Sequence, residues 1–299
     1  MFDEFKNAFN KPRNAHVQLI IINVVIFVVF AILMVFSTFL KGDGFFTIIH
    51  NQFQIPANFT EFLTRPWTII TYAFMHDLRD IWHIVFNMLV LYWFGRLFVE
   101  YLGSDKLIAV YVLGAISGAI AFLLAYNTIP VFVEQVATQG GGMVGASAAV
   151  DAVVVAAATL LPNYTFHLLL LGPVRIKYIA MVTVFLSFLG TVGSNAGGNF
   201  AHLGGALIGF VYIKQLQAGV NWGAWVTATL DWIKSLFESK PKVKVSYRKA
   251  DEPQAKSSSS TKGKASQEEI DAILDKISDH GYDSLSKTEK EKLFNASKK

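Results

Sequence analysis

Residues 143–161 read MVGASAAVDAVVVAAATLL, an apolar run of helix length with a hydroxyl, Ser147, near its start and a carboxyl, Asp151, one turn later. A second apolar run opens close to His202. Ionisable groups at membrane depth are costly and usually face a water-filled cavity or a partner. A nucleophile and a base in two such runs point to serine hydrolase chemistry inside a bilayer.

Composition supports the membrane. The chain is 53% hydrophobic and 16% charged, with a mean hydropathy of +0.42; an ordinary soluble domain carries about 25% charged residues. Residues 240–299 hold 14 of the 26 Lys/Arg and 10 of the 22 Asp/Glu, which marks a boundary near Lys240. The net charge of +4 is therefore read as basic residues on the cytoplasmic side of a membrane protein, with no nucleic-acid partner. There is no Cys, so disulfides and thiolate metal sites are excluded.

Six apolar runs qualify as spans: residues 17–40, 81–98, 107–126, 143–161, 178–192 and 200–214. The first is uncharged and long enough to cross ~30 Å of hydrocarbon; it exceeds a signal-peptide core and is read as retained. The fifth and sixth are short. An apolar stretch at 167–174, interrupted by Gly172-Pro173, precedes the fifth. Six spans put both termini on one side. That side carries Lys6, Lys11, Arg13, Arg96, Lys106, Arg175, Lys177 and the basic tail, whereas the opposite loops 127–142 and 193–199 contain no Lys or Arg. The termini are expected to be cytoplasmic. Spans two, four and six then run the same way. His83 and Asn87, Ser147, and His202 each fall in the first two turns of one of them, at a common depth given 1.5 Å per residue.

Small residues surround Ser147, and His202, Gly205 and Gly209 lie on one face of span six, with Gly205-x-x-x-Gly209 suited to close helix contact. Packed on span four, that face brings an imidazole to a hydroxyl that is a poor nucleophile without a base. Gly140-Gly141-Gly142 allows unusual backbone angles before the span, and the helix N-terminus offers unpaired N–H groups to an oxyanion. His83 and Asn87, one turn apart, are suitable side-chain donors to the same oxyanion. The plainer readings are a serine bonded to a backbone carbonyl and a His/Asn pair acting as helix glue. Convergence of four groups on one layer favours a catalytic site.

The set His83-x-x-x-Asn87, Gly145-x-Ser147-Ala148 and Ala201-His202-Leu203-Gly204-Gly205 resembles the rhomboid intramembrane serine proteases over about residues 15–216. The resemblance implies an all-α, six-span bundle and a Ser147–His202 dyad that hydrolyses peptide bonds in or near transmembrane segments of other proteins. Asn87 and His83 are implied as oxyanion stabilisers together with the Ser147 N–H. Trp67, His76, Gly95 and Glu100 also fit the family pattern. Two positions depart from it. Thr68 follows Trp67 where the family often has Arg, which bears on the charge network of the first loop. Asp151 stands where many members carry a tyrosine that stacks on the imidazole. Asp151 either accepts a hydrogen bond from His202 as in a triad, or is a protonated acid that helps hydrate the cavity; the second is the preferred expectation. The family also suggests lateral substrate entry beside span five, under a glycine-rich lid at 192–200.

The expected organisation is a cytoplasmic N-terminus at 1–16, a protease domain at 17–216, an interfacial amphipathic helix at 217–240, a disordered linker at 241–265 and a small cytoplasmic helical tail at 266–299. Trp222, Trp225, Trp232 and Phe237 among Asn221, Asp231 and Lys234 mark the interfacial helix. Lys- and Ser-rich composition marks the linker. Ser266-x-x-Glu269 and Ser286-x-x-Glu289 read as capping boxes of a helical pair, with Gly281 between the helices. Such a pair buries little surface alone and suggests a cytoplasmic partner. It resembles a C-terminal extension on some bacterial homologues, a resemblance that implies no specific role. The expected location is a bacterial cytoplasmic membrane. Partners are membrane-protein substrates and lipid. Neither metal nor organic cofactor is expected, since no His-x-x-x-His or carboxylate cluster occurs. The alternative is a catalytically inactive rhomboid-like protein that binds membrane clients. A transporter would call for inverted repeats, of which the sequence has none.

Overall fold

A computed structural model describes residues 13–40, 43–168, 172–237 and 267–297. The expected linker at 241–265, Ser266, and residues 1–12 lie outside the described residues. The chain forms two compact units, Met1–Lys240 and Pro241–Lys299.

In the first unit, α1 (Ala15–Phe39) contains neither Gly nor Pro and is apolar apart from His16, Gln18, Asn23, Ser37 and Thr38. The first loop holds α2 (Asp43–Phe53), β1 (Ile55–Pro56), α3 (Phe59–Thr64), α4 (Thr68–Thr71) and a 3-10 turn at Tyr72–Phe74. Helices α5 (Ile81–Leu102) and α6 (Ser104–Thr128) follow, then α7 (Pro130–Gln139), β2 (Gly142–Met143) and α8 (Ser147–Leu160). A hairpin of β3 (Thr165–Leu168) and β4 (Gly172–Arg175) precedes α9 (Ile176–Gly190), α10 (Ala196–Gln217) and α11 (Ala224–Phe237). Among the described residues, α1, α5, α6 and α10 are long and apolar enough to cross a membrane; α8 and α9 are shorter apolar helices. The protein is a polytopic all-α membrane protein.

Two expectations need correction. The stretch 143–146 is not helical, because Gly142 and Met143 pair antiparallel with Pro56 and Ile55. Ser147 is therefore the first residue of α8. The expected lid at 192–200 shrinks to a short turn, since α10 begins at Ala196 and takes in Gly197 and Gly198, both buried. A Cβ at Gly197 would lie 2.8 Å from the Phe122 ring, so that glycine serves close packing and not loop mobility. Of the apolar stretch at 167–174, His167 and Leu168 lie on β3 and Gly172–Val174 on β4, with Phe166 opposite Val174 and Thr165 opposite Arg175.

The core is built from small residues. Helix α8 buries Ala148, Ala149, Ala152 and Ala156–Ala158 along with Val150, Val153 and Val154. Glycines of its two neighbours press on the same alanines. A Cβ on Gly205 or Gly209 of α10 would overlap the carbonyl oxygens of Ala148 and Ala152, and one on Gly118 or Gly114 of α6 would overlap their methyls. No hydrophobic force draws helices together in lipid, so such close van der Waals contact does that work.

The first loop is bound to this core through polar groups. Tyr72 donates from its hydroxyl to the Ala115 carbonyl at 2.7 Å, and Tyr111 donates to the Ala73 carbonyl at 2.8 Å. Asn23 of α1 donates to the Tyr111 hydroxyl at 3.2 Å and to the Leu19 carbonyl at 2.8 Å. Arg65 pairs with Glu61 and donates to the Asn51 carbonyl, while Thr68 donates to the Arg65 carbonyl at 2.6 Å. The charge network of the loop thus centres on Arg65, two residues before Trp67. His76 is buried at 1% exposure, and neither ring nitrogen has a hydrogen-bond partner of good geometry. Burial first, then the neighbouring His83, push its pKa down to about 3, with the nearby Phe74 backbone offsetting only part.

In the second unit, α12 (Gln267–His280) and α13 (Lys287–Ala296) are joined by a 3-10 turn at Tyr282–Ser284. Ion pairs Lys276–Glu289 (3.0 Å) and Lys292–Glu269 (3.1 Å) link the helices, and Ile273 and Leu285 are buried. Ser286 and Glu289 form the full reciprocal cap of α13. Gly281, at φ 77°, ends α12 in a conformation that other residues rarely adopt.

Gly205→Ala is expected to lower the thermal unfolding temperature in detergent clearly, because overpacking typically costs about 1–3 kcal/mol and here backbone must move. Gly44→Ala, with open space around it, should leave that temperature unchanged. His76 also predicts a pH dependence. It is neutral in the fold down to about pH 3, whereas an unfolded histidine titrates near 6.5, so the unfolded chain binds more protons between those values. Stability carried by neutral His76 is present above pH 6.5 and lost as pH falls toward 3. His76→Leu should show a shallower decline over that window in pH-resolved melting curves.

Candidate active site

The site is assembled from four helices and a strand. Ser147 begins α8, and its N-cap position, Ala146, supplies no side-chain cap. The first N–H groups of α8 are thus left without intrahelical acceptors or a capping oxygen. Gly145 before them has φ 142°, and its N–H donates to the Tyr72 carbonyl at 3.0 Å. The imidazole of His83 lies against this glycine, 3.1 Å from where a Cβ would sit. Only a glycine accommodates both the backbone angle and the ring.

His202 lies in the second turn of α10. Its Nε2 is 2.7 Å from Ser147 Oγ, a hydrogen bond between a hydroxyl and an imidazole from two different helices. Its Nδ1 faces two groups. Ser187 Oγ, from α9, is at 3.4 Å, and Asp151 Oδ2, from α8, is at 3.7 Å. The Asp151 separation exceeds a hydrogen bond, so this geometry does not draw the contact that a triad needs. Ser187 is the nearer group and was not singled out in the sequence. A lone hydroxyl in an apolar helix carries no signal of its own there.

His83 and Asn87 share one face of α5, as their spacing requires. Asn87 is buried and donates through Nδ2 to the His83 carbonyl at 2.7 Å. The amide has two N–H donors, so one remains beyond that bond. The His76 and His83 rings meet edge to face at 5.4 Å.

Above Ser147 opens a cavity of about 450 Å³, lined by Tyr72, His83, Gly140–Gly142, Gly145 and Ser147, with Phe122 and Tyr126 of α6 and Ser194, Asn195 and Gly198 opposite. Asp77 and Asp80 also line it. Each carboxylate accepts a hydrogen bond from a backbone N–H just ahead in sequence, Arg79 and Trp82 respectively, which fixes its position. Asn87 and His202 lie behind this wall and are not part of it. Of the remaining positions in the pattern, Trp67 donates to the Gln52 carbonyl at 2.7 Å, Gly95 packs on His16, and Glu100 is exposed. The arrangement offers a nucleophile, a base in contact with it, free backbone donors at a helix start and space for a polypeptide backbone.

Comparison with known proteins places the chain in a family. The Rhomboid domain family matches residues 63–217. The chain is 33% identical over 164 residues to "RHOMBOID-like protein 12, mitochondrial" of Arabidopsis thaliana, covering 52% of this chain and 48% of that protein. It is 30% identical over 170 residues to "Rhomboid protein 1, mitochondrial" of Saccharomyces cerevisiae, covering 54% and 45%. The aligned part spans about half the length of each of these relatives. Residues 260–299 match a separate family of unknown function (DUF6576). The first unit carries the domain that defines them, and the chain belongs to the rhomboid family.

Proposed function

We propose that the protein is an intramembrane serine endopeptidase that hydrolyses peptide bonds in or near transmembrane segments of other membrane proteins. The observation that carries this reading is the 2.7 Å contact between His202 Nε2 and the Oγ of Ser147, a residue that lines a cavity within a membrane bundle. In the proposed reaction Nε2 takes the Ser147 proton as Oγ attacks the scissile carbonyl carbon. The resulting oxyanion is held by the N–H groups at the start of α8 and by His83 and Asn87 from α5. The imidazolium then protonates the leaving amine, and the acyl-enzyme is hydrolysed by water in a second, equivalent half-reaction. Asp151 is a modulator of His202 and not a proton acceptor in this scheme.

Helix length supports the placement of the site. At 1.5 Å per residue, the 14 residues of α8 span about 21 Å, short of the ~30 Å of hydrocarbon. If all six helices cross with the termini on the basic, cytoplasmic side, the C-terminal end of α8 faces that side. Ser147 then lies about 9 Å beneath the opposite surface, within reach of water through the cavity. Helix α11 lies along the cytoplasmic leaflet, where its exposed Trp225 and Trp232 suit the interface. The helical pair α12–α13 is a docking module for a cytoplasmic partner. The membrane we assign to this multi-pass protein is a bacterial cytoplasmic membrane with both termini on its cytoplasmic side.

Ser147→Ala and His202→Ala are each expected to abolish cleavage of a model transmembrane substrate by purified protein without unfolding it. Cleavage retained by Ser147→Ala would overturn the hydrolase reading. Asn87→Ala should lower kcat by roughly 10²–10³, the magnitude of one lost oxyanion donor; a change confined to KM would assign Asn87 to substrate binding. A chain ending at Lys240 should keep its activity in detergent. A folded but inactive truncation would make the second unit part of the active assembly.

A further inference from the structure

We infer, resting on the hydrolase reading above, that Ser187 is a positioning residue that holds the His202 imidazole in its working tautomer from the neighbouring helix. For Nε2 to accept the Ser147 proton, the imidazole must carry its own proton on Nδ1, and a buried Nδ1–H needs an acceptor. Ser187 Oγ stands at 3.4 Å from Nδ1, closer than Asp151 Oδ2 at 3.7 Å.

The setting of Ser187 in α9 argues for a role beyond packing. This helix buries only Ile176, Ala180 and Ser187, while Met181, Val182, Phe185, Leu186, Phe188 and Leu189 are exposed. A polar side chain thus occupies one of three inward positions on a helix otherwise turned to lipid. Hydroxyls in such helices usually satisfy themselves on the carbonyl three or four residues back. Thr183 does so on Ile179 at 3.0 Å, and Thr191 does so on Phe188 at 2.7 Å. Ser187, between them and 5% exposed, instead meets His202 Nδ1. The imidazole is therefore met by hydroxyls from two helices, Ser147 of α8 at Nε2 and Ser187 of α9 at Nδ1, with the Asp151 carboxyl farther off at 3.7 Å. Where the family often stacks a tyrosine on the ring, this chain holds it by its second nitrogen. Its catalytic base depends on α9 being docked, although α9 contributes nothing to the oxyanion site.

The test uses the full chain in detergent with a fluorophosphonate probe, whose reaction with Ser147 reports activation of the hydroxyl without any substrate, together with kcat and KM on a model transmembrane substrate. Ser187→Ala should slow probe labelling and lower kcat about tenfold, the value of one hydrogen bond to a buried donor, with KM and the melting temperature unchanged. Ser187→Thr, which restores the hydroxyl, should recover both rates to within about twofold. Labelling of Ser187→Ala at the wild-type rate overturns the inference, as does failure of Ser187→Thr to recover. A fall in kcat that only tracks a fall in melting temperature assigns a structural role and also overturns it. A folded wild-type protein that resists the probe and cleaves nothing overturns the hydrolase reading itself, an outcome distinct from a normal wild type with an unaffected Ser187→Ala.

Discussion

The contact on which the molecule depends is the approach of glycine backbone to the alanine carbonyls of α8. Gly205 rests on the Ala148 carbonyl and Gly209 on that of Ala152, while Gly118 and Gly114 of α6 close on the methyls of the same two alanines. Each of these alanines is clamped from both sides without an intervening side chain. Ala148 follows Ser147 directly, and Gly205 follows His202 by less than one turn. The backbone distance fixed at 148 and 205 therefore fixes the distance between hydroxyl and imidazole at 2.7 Å. Packing and the Ser147–His202 contact share one seam, so the geometry of the proposed catalytic pair is set by packed helices.

Irregular backbone beside such a bundle must find hydrogen-bond partners within the protein, because lipid offers none. Tyr72 answers this at both ends. Its hydroxyl is anchored on Ala115 of α6, and its carbonyl accepts the Gly145 N–H that sets the entry into α8. Tyr111 returns the arrangement by donating to Ala73. The strand pair Ile55–Met143 and Pro56–Gly142 ties the same loop to the glycine-rich approach to Ser147. The first loop is accordingly a wall of the site, and its order is transmitted to the helix start that carries the nucleophile.

Much of this was legible in the sequence, for reasons that differ by element. Spans showed themselves through apolar length, and the ends of α1, α5 and α6 fall within a few residues of the expected limits. The pairing of Ser147 with His202 was legible because polar groups are rare enough in such segments to stand out. Helices α2 and α3 were not, because 43–53 and 59–64 mix polar and aromatic residues without a clean period and are ordered by contacts such as Arg65 with Glu61. Gly197 and Gly198 misled for a physical reason: glycine reads as loop in a soluble chain, but here the missing side chain of Gly197 admits Phe122 and Tyr126 to the helix and that of Gly198 admits the Asn195 side chain. Ser187 looked like Thr183, and only the direction of its hydroxyl separates them.

The start of α8 carries a further constraint. An N-cap Ser, Thr, Asn or Asp in place of Ala typically stabilises a helix by about 1 kcal/mol, because its side-chain oxygen takes up the N–H groups of the first turn. Position 146 holds Ala, fully buried, and those N–H groups are left open toward the cavity. A capping oxygen there would occupy the donors that the proposed oxyanion needs, and would place a polar atom against the alanine-glycine seam. Ser147, one residue later, keeps its hydroxyl for His202 instead of turning it back on the helix. Helix α8 thus starts without the side-chain cap that its position allows. Packing and the proposed oxyanion site are compatible because they call on different atoms of the same residues: the carbonyls and methyls of α8 meet the glycines of α10 and α6, and its first N–H groups remain for the oxyanion of the proposed reaction.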